Sequence, residues 1–98
     1  MPCDFLEAKK ATLAAAEIKG PVYIRLGREP LPILTTREAP FIPGQGLLMK
    51  EGKDITIIAC GSLVFESLQA AIILEKENTN ARVINSHPLK PLDEKIII

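Results

Sequence analysis

Arg28 is the residue of this 98-residue chain whose type and position best suit ligand binding. It follows Gly27 at the end of a predicted strand, the end at which α/β proteins place ligand-binding groups. A guanidinium group there can hold a phosphate through two parallel hydrogen bonds. The alternative is a surface arginine paired with Glu29, and the residue types alone favour that alternative.

The other reactive residue types have more ordinary explanations. His87 is the only histidine, and it lies in a predicted loop, where a solvated surface role is common. Cys60 ends a predicted strand and would need a base beside it to act as a nucleophile, so inert packing is expected. Gly61 and Ser62 place N–H groups at a helix start, where an anion can bind, although capping alone accounts for them. The sequence contains no Gly-rich phosphate loop or metal-ligand spacing, and it predicts no catalytic, cofactor-binding or metal-binding residue.

The composition argues against several classes of function. The chain has 12 Lys and Arg residues and 12 Asp and Glu residues, so neither nucleic acid nor an anionic membrane is implied as a partner. Hydrophobic residues make up 47% of the chain, which is too many for a disordered segment. Cys3 and Cys60 are far apart and predict free thiols in a reducing compartment. The start of the chain is acidic, unlike a signal peptide, so a cytoplasmic location is predicted.

Residues 1–28 are predicted to form a helix followed by a strand. Asp4 is a good N-cap, and Glu7 lies three residues later, as in a capping box. Residues 5–18 are rich in strong helix formers, and the Gly-Pro pair that follows is a stop signal. Residues 22–26 are Val-Tyr-Ile-Arg-Leu, which is typical of a short strand.

Residues 29–43 contain four prolines, and their hydrophobic residues recur at neither helical nor strand spacing. They are predicted to be a semi-rigid linker between two domains or parts of domains. Residues 44–98 then begin a second unit, with a short strand possible over 47–50. Residues 55–60 form a nearly continuous apolar run, of the kind buried on both faces of a parallel sheet.

A helix is predicted from Leu63 to about Glu77, with Ser62 as its cap. Its buried stripe is expected to contain four residues at helical spacing: Val64, Leu68, Ala71 and Ile72. Residues 81–85 are the next strand, and the resulting β-α-β crossover should be right-handed. Asp93 is positioned to cap a further helix that includes Glu94. The predicted fold class is therefore α/β: an αβ unit, a Pro-rich linker and a partial parallel β-α-β.

The order of these elements resembles the transketolase family. Residues 20–28 look like the last strand of the pyrimidine-binding domain, and residues 55–93 are similar to the first β-α-β of the C-terminal domain. The matching motifs are Gly44-Gln45-Gly46, Ala70-Ala71, Arg82-Val83-Ile84 and Lys90-Pro91-Leu92-Asp93. Deoxyxylulose phosphate synthase and the beta chains of 2-oxo-acid dehydrogenases share the C-terminal pattern. The Arg-Leu-Gly-Arg strand end favours transketolase among them.

The resemblance implies a fragment that spans a domain junction. Residues 1–28 would be the tail of a pyrimidine-binding-like domain, 29–43 a linker, and 44–98 the first part of the C-terminal domain. Full-length members bind thiamine diphosphate and a divalent metal between two subunits, through residues upstream of Met1. One role carries over: Arg28 matches the arginine that contacts the sugar phosphate of the substrate. His87 matches no catalytic histidine of the family.

These observations lead to two functional hypotheses. The first is a part of a transketolase that moves a two-carbon ketol unit between sugar phosphates, with the fragment alone inactive and binding no cofactor. Its expected partners are further copies of the chain or a complementary chain of the same enzyme. The second is a non-catalytic α/β module for assembly or regulation. A piece of a deoxyxylulose phosphate synthase or a 2-oxo-acid dehydrogenase beta chain also remains open.

Overall fold

A computed structural model describes all 98 residues, which form three helices and one three-stranded sheet. In chain order the elements are α1 (Phe5–Glu17), β1 (Leu47–Lys50), β2 (Ile55–Ala59), α2 (Leu63–Lys76), β3 (Ala81–Asn85) and α3 (Glu94–Ile97). None of the helices is long and apolar enough to cross a membrane.

The sheet has the order β1-β3-β2, so the last strand in the chain is the central one. β2 runs parallel to β3, with Ile55 opposite Ala81 and Ala59 opposite Asn85. β1 runs antiparallel to β3 on the other side. The predicted parallel β-α-β and the short strand over 47–50 are both confirmed.

The hydrophobic core lies between α2 and one face of the sheet. Ala71 of α2 packs with Ala81 and Val83 of β3, and Leu68 covers them. The predicted buried stripe is wrong at Ile72, which is 47% exposed, because no element covers that side of α2. Ser62 occupies the N-cap position as predicted, but its side chain makes no capping hydrogen bond.

The prediction that β2 is buried on both faces is wrong. Ile55 is 44% exposed and Ile58 is 46% exposed. The physical reason is position: β2 is an edge strand, and α2 covers one face of the sheet. The buried central place belongs to β3, in which Val83, Ile84 and Asn85 are fully buried.

The N-terminal segment agrees with the prediction in its helix and differs in its strand. α1 begins after the N-cap Asp4 and ends at Glu17. Residues 22–26 form no strand, because none of the three strands lies beside them to supply hydrogen bonds. Tyr23 is 86% exposed there. The division into 1–28, 29–43 and 44–98 stays a prediction.

α3 is a single helical turn at the end of the chain. Its N-cap is Asp93, whose Oδ1 accepts a hydrogen bond of 3.2 Å from the Lys95 N–H. Asp93 Oδ2 also accepts from the Gly46 N–H at 2.9 Å. The cap predicted from the sequence therefore also ties the start of the second unit to its end.

Candidate functional site

A set of buried polar side chains joins three distant parts of the chain. We call this set the polar junction; its members are Asp4, Glu7, Thr35, Asn85 and His87, each no more than 8% exposed. Two come from the start of α1, one from the linker, and two from the end of β3 and the residues after it. Because a buried polar group without a partner is costly, their hydrogen bonds decide whether the junction holds together.

Asp4 joins α1 to the linker. Its Oδ1 accepts from the Glu7 N–H at 2.7 Å, which caps the helix. Its Oδ2 accepts from the N–H groups of Leu34 at 2.8 Å and Thr35 at 2.6 Å. The Thr35 hydroxyl donates to the same carboxylate. Burial would raise the pKa of Asp4, but these hydrogen bonds stabilise the anion and lower the pKa below its usual value.

Glu7 joins α1 to the central strand. Its Oε1 accepts from the Cys3 N–H at 2.9 Å, one residue earlier than a capping box requires. The Asn85 amide donates to both Glu7 oxygens, at 3.0 Å and 2.8 Å. The Asn85 Oδ1 atom is buried and has no hydrogen-bond partner. The amide of Asn85 therefore serves as a donor toward Glu7 at the end of β3.

His87 is buried, and the prediction of a solvated loop residue is wrong. Its ring stacks on Phe41, with centroids 4.5 Å apart, and its carbonyl accepts from the Met1 ammonium group at 2.6 Å. Burial lowers the pKa of His87, although the carboxylates of Glu7 and Asp93 act in the opposite direction. The residue thus holds a linker aromatic ring against the end of β3.

The two cysteines are free thiols in different settings. Cys3 is fully buried, and burial, followed by the charges of Glu7 and Asp4, raises its pKa far above the usual value. It stays protonated and weakly nucleophilic. Cys60 is partly buried, and its thiol lies 3.8 Å from the Met1 sulfur, in agreement with the packing role expected from the sequence.

Arg28 lies outside the polar junction. It is exposed and forms no hydrogen bond or ion pair; the one ion pair of the chain joins Lys50 and Glu75 at 3.7 Å. The expected alternative, a pairing with Glu29, is therefore not formed.

The sequence identified parts of this arrangement and missed others. The sequence predicts Asp4 and Glu7 as capping residues, but it does not indicate that they are buried. Asn85 was missed, although one signal was available: a polar residue directly after the apolar pair Val83-Ile84. The arrangement can hold segments in fixed positions. No group of three or more His, Cys, Asp or Glu side chains is placed to hold a metal ion.

The fold and the junction define an α/β unit in which an N-terminal helix and a linker are tied to the end of a central strand. Residues 44–98 match the model of the transketolase C-terminal domain. The chain belongs to the transketolase family.

Three comparisons illustrate the relationship. A Methanocaldococcus jannaschii protein described as the C-terminal section of a transketolase is 39% identical over 98% of this chain and 31% of its own length. Human transketolase is 36% identical over 99% of this chain and 16% of its own length. A solved structure of a split-gene transketolase, an inactive β4 tetramer, matches with a TM-score of 0.94 and 44% identity, covering 98% of this chain and 32% of that one. The chain spans about a third or less of these proteins.

Proposed function

We propose that this chain supplies a substrate-binding part of a transketolase-like transferase, which moves a two-carbon ketol unit between sugar phosphates. The observation that carries the proposal is Arg28, exposed and without a partner, in the segment that resembles the phosphate-contacting strand end. Its guanidinium group donates two hydrogen bonds to phosphate oxygens. Because the phosphate is remote from the carbon atoms that react, this contact contributes binding energy and orientation.

The reaction needs a partner chain or a longer chain. Transketolases made of separate subunits provide the precedent: one subunit of an apulose-4-phosphate transketolase from Phocaeicola vulgatus is 32% identical over 99% of this chain. Residues 22–26 have a strand-like sequence, are mostly exposed and pair with no strand here. We place them at a sheet edge of the complete enzyme, with Arg28 at the end of the strand. Both thiols are free, in keeping with a cytoplasmic setting.

The cofactor of the family is thiamine diphosphate with a divalent metal. The residues of this chain do not fit a metal site, because no suitable cluster of ligands is present. We therefore assign the cofactor to other parts of the complete enzyme. We expect calorimetry to detect no tight binding of thiamine diphosphate by this chain alone, and micromolar affinity would overturn that assignment.

The test is the Michaelis constant for phosphorylated sugars in the complete enzyme that contains this segment. Arg28→Ala removes a charge-assisted contact worth about 1.5–3 kcal/mol, so this constant should rise about tenfold or more. The constant for an unphosphorylated acceptor should change little. Arg37→Ala, at another exposed arginine, is the matched control. Equal losses for both acceptors would reject the phosphate contact.

The second candidate function is non-catalytic assembly. It is favoured by the solved relative that forms an inactive β4 tetramer. Complementation separates the two candidates. If the chain restores ketol transfer when combined with the remaining parts of such an enzyme, it has a catalytic role; if it assembles with them without activity, its role is assembly alone.

A further inference from the structure

Arg28 lies in a segment that the chain itself holds only at its ends. We call residues 18–33 the arm. None of its residues from Lys19 to Ile33 makes a hydrogen bond within the chain, and most of them are exposed. The place that Arg28 occupies relative to the sheet therefore depends on where the two ends of the arm are anchored.

Both ends of the arm depend on the polar junction. The arm leaves the end of α1, a 13-residue helix that rises about 20 Å from its start. The arm then returns to the start of the same helix, where Asp4 holds the N–H groups of Leu34 and Thr35. Asp4 thus joins the far end of the arm to the start of α1, so that the helix and the arm together form a closed loop.

Glu7 and Asn85 provide a direct hydrogen-bonded link between that loop and the central strand. The Asn85 amide donates to both oxygens of Glu7, and the same amide lies 3.5 Å from the Cys3 sulfur. Cys3, just before α1, is fully buried, and the Met1 ammonium group donates to the His87 carbonyl at 2.6 Å, so the start of the chain is held at the same place. A hydrogen bond to a charged group in a buried site is among the stronger and more directional contacts in proteins.

Asn85 is costly at its position, which points to a role beyond stability. Its Oδ1 atom is buried without a partner, and a buried acceptor left unsatisfied destabilises the fold. The neighbouring residues Val83 and Ile84 show that the strand accommodates apolar side chains here. Such departures from the best local choice are typical of functional positions.

We propose that Asn85 and Glu7 are positioning residues that fix the Arg28 arm relative to the sheet of the C-terminal domain, so that Arg28 meets the substrate phosphate. The proposal rests on the proposed phosphate-binding function of Arg28. Asn85 and Glu7 touch no substrate; they act through the anchoring of α1, and through Asp4 on the return of the arm.

The test exchanges donor and acceptor between the two positions. Asn85→Asp alone places two carboxylates against each other and breaks the anchor. Adding Glu7→Gln restores an amide–carboxylate pair of the same length, in which the new glutamine oxygen can still accept from the Cys3 N–H. In the complete enzyme, Asn85→Asp should raise the Michaelis constant for phosphorylated acceptors about tenfold. The double variant should bring it back near its original value.

Three further measurements separate positioning from general stability. The constant for an unphosphorylated acceptor should stay unchanged in Asn85→Asp. In an Arg28→Ala background, Asn85→Asp should add little, because the contact it positions is already gone. In this chain alone, the amides of Leu34 and Thr35 should exchange at least about tenfold faster in Asn85→Asp, while the central-strand amide of Val83 keeps its protection. Thr12→Ala, on the same helix with an exposed hydroxyl, is the control.

The outcomes separate the phosphate-binding role of Arg28 from the positioning role of Asn85 and Glu7. If Arg28→Ala leaves the constant for phosphorylated acceptors unchanged, the proposed function fails. If Arg28→Ala raises it and Asn85→Asp does not, only the positioning role fails. Equal losses for both acceptors, or loss of Val83 protection without rescue by Glu7→Gln, would show that Asn85 and Glu7 serve stability alone.

Discussion

The ring of Phe41 stacks on the imidazole of His87, with the centroids 4.5 Å apart and the planes at 24°. Phe41 belongs to the linker, and His87 follows the central strand β3. The contact therefore fastens the linker to the end of the sheet beside the polar junction. It also buries the one histidine of the chain, and so it links the stability of the fold to pH.

Acidification should destabilise the chain through His87. Burial lowers its pKa in the folded state below the usual 6.5, so the unfolded chain binds the proton more readily. The contribution to stability is present above about pH 6.5 and is lost as the pH falls through the folded pKa. Urea unfolding between about pH 7.5 and about pH 5.5 measures it. His87→Phe keeps a ring against Phe41 and should flatten this pH dependence; an unchanged slope would contradict the prediction.

Asp4→Asn should destabilise the folded chain by about 1.5–3 kcal/mol, because the carboxylate accepts charge-assisted hydrogen bonds from both α1 and the linker. The pKa of Asp4 is lower in the folded chain than in the unfolded chain. The stabilisation is therefore fully present at pH values above the usual aspartate pKa, and it is lost as the pH falls through the folded pKa. The loss in Asp4→Asn should therefore shrink in strong acid. Glu17→Gln, at an exposed position on the same helix, is the control for urea unfolding. Equal effects of the two substitutions would refute a special role for Asp4.

Gly52→Ala should be strongly destabilising. A Cβ atom at Gly52 would overlap the backbone carbon of Ala81 and the backbone nitrogen of Arg82, so the β1–β2 turn would have to move off the start of β3. Overpacking of this kind costs about 1–3 kcal/mol or more. Gly27→Ala is the matched control, because a Cβ atom there meets nothing within 4 Å. Thermal unfolding that gives equal midpoints for both variants would disprove the close approach.

The isolated chain should self-associate at micromolar concentration. β2 is an edge strand that exposes Ile55 and Ile58, and such edges pair with other chains unless a charge blocks them. Ile58→Lys should shift the sedimentation coefficient toward the monomer, whereas Gln69→Lys, at an exposed position on α2, should not. A compact monomer that unfolds cooperatively would instead favour a self-standing module.

The sequence was sufficient wherever the signal was local. The cap at Asp4, the helical spacing of Val64 and Ala71, and the β-branched run of β2 lie within the elements they define, and those elements are present as predicted. Residues 22–26 had an equally clear strand pattern, yet a strand needs a neighbour, and the chain supplies none there. Pattern alone could not show this.

The polar junction could not be predicted from local sequence patterns, because the residues that pair in it are far apart in the chain. The Asn85 amide N–H groups donate to Glu7, and His87 is covered by Phe41. Whether a polar residue after a strand is solvated or buried depends on what the rest of the chain places over it. The phosphate-binding role of Arg28 rests on its resemblance to a family position and stays a proposal.

The strand order has a consequence for synthesis on the ribosome. β1 and β2 are made first, but neither pairs with the other; both take their hydrogen bonds from β3. The sheet therefore cannot begin to form until residues 81–85 have left the exit tunnel. Until then β1 and β2 have no strand with which to pair. Chains with such delayed, non-local pairing fold slowly and expose sticky segments meanwhile. A nascent chain paused before Ala81 would therefore expose both strands, and the two could pair with β3 only after Asn85 had emerged.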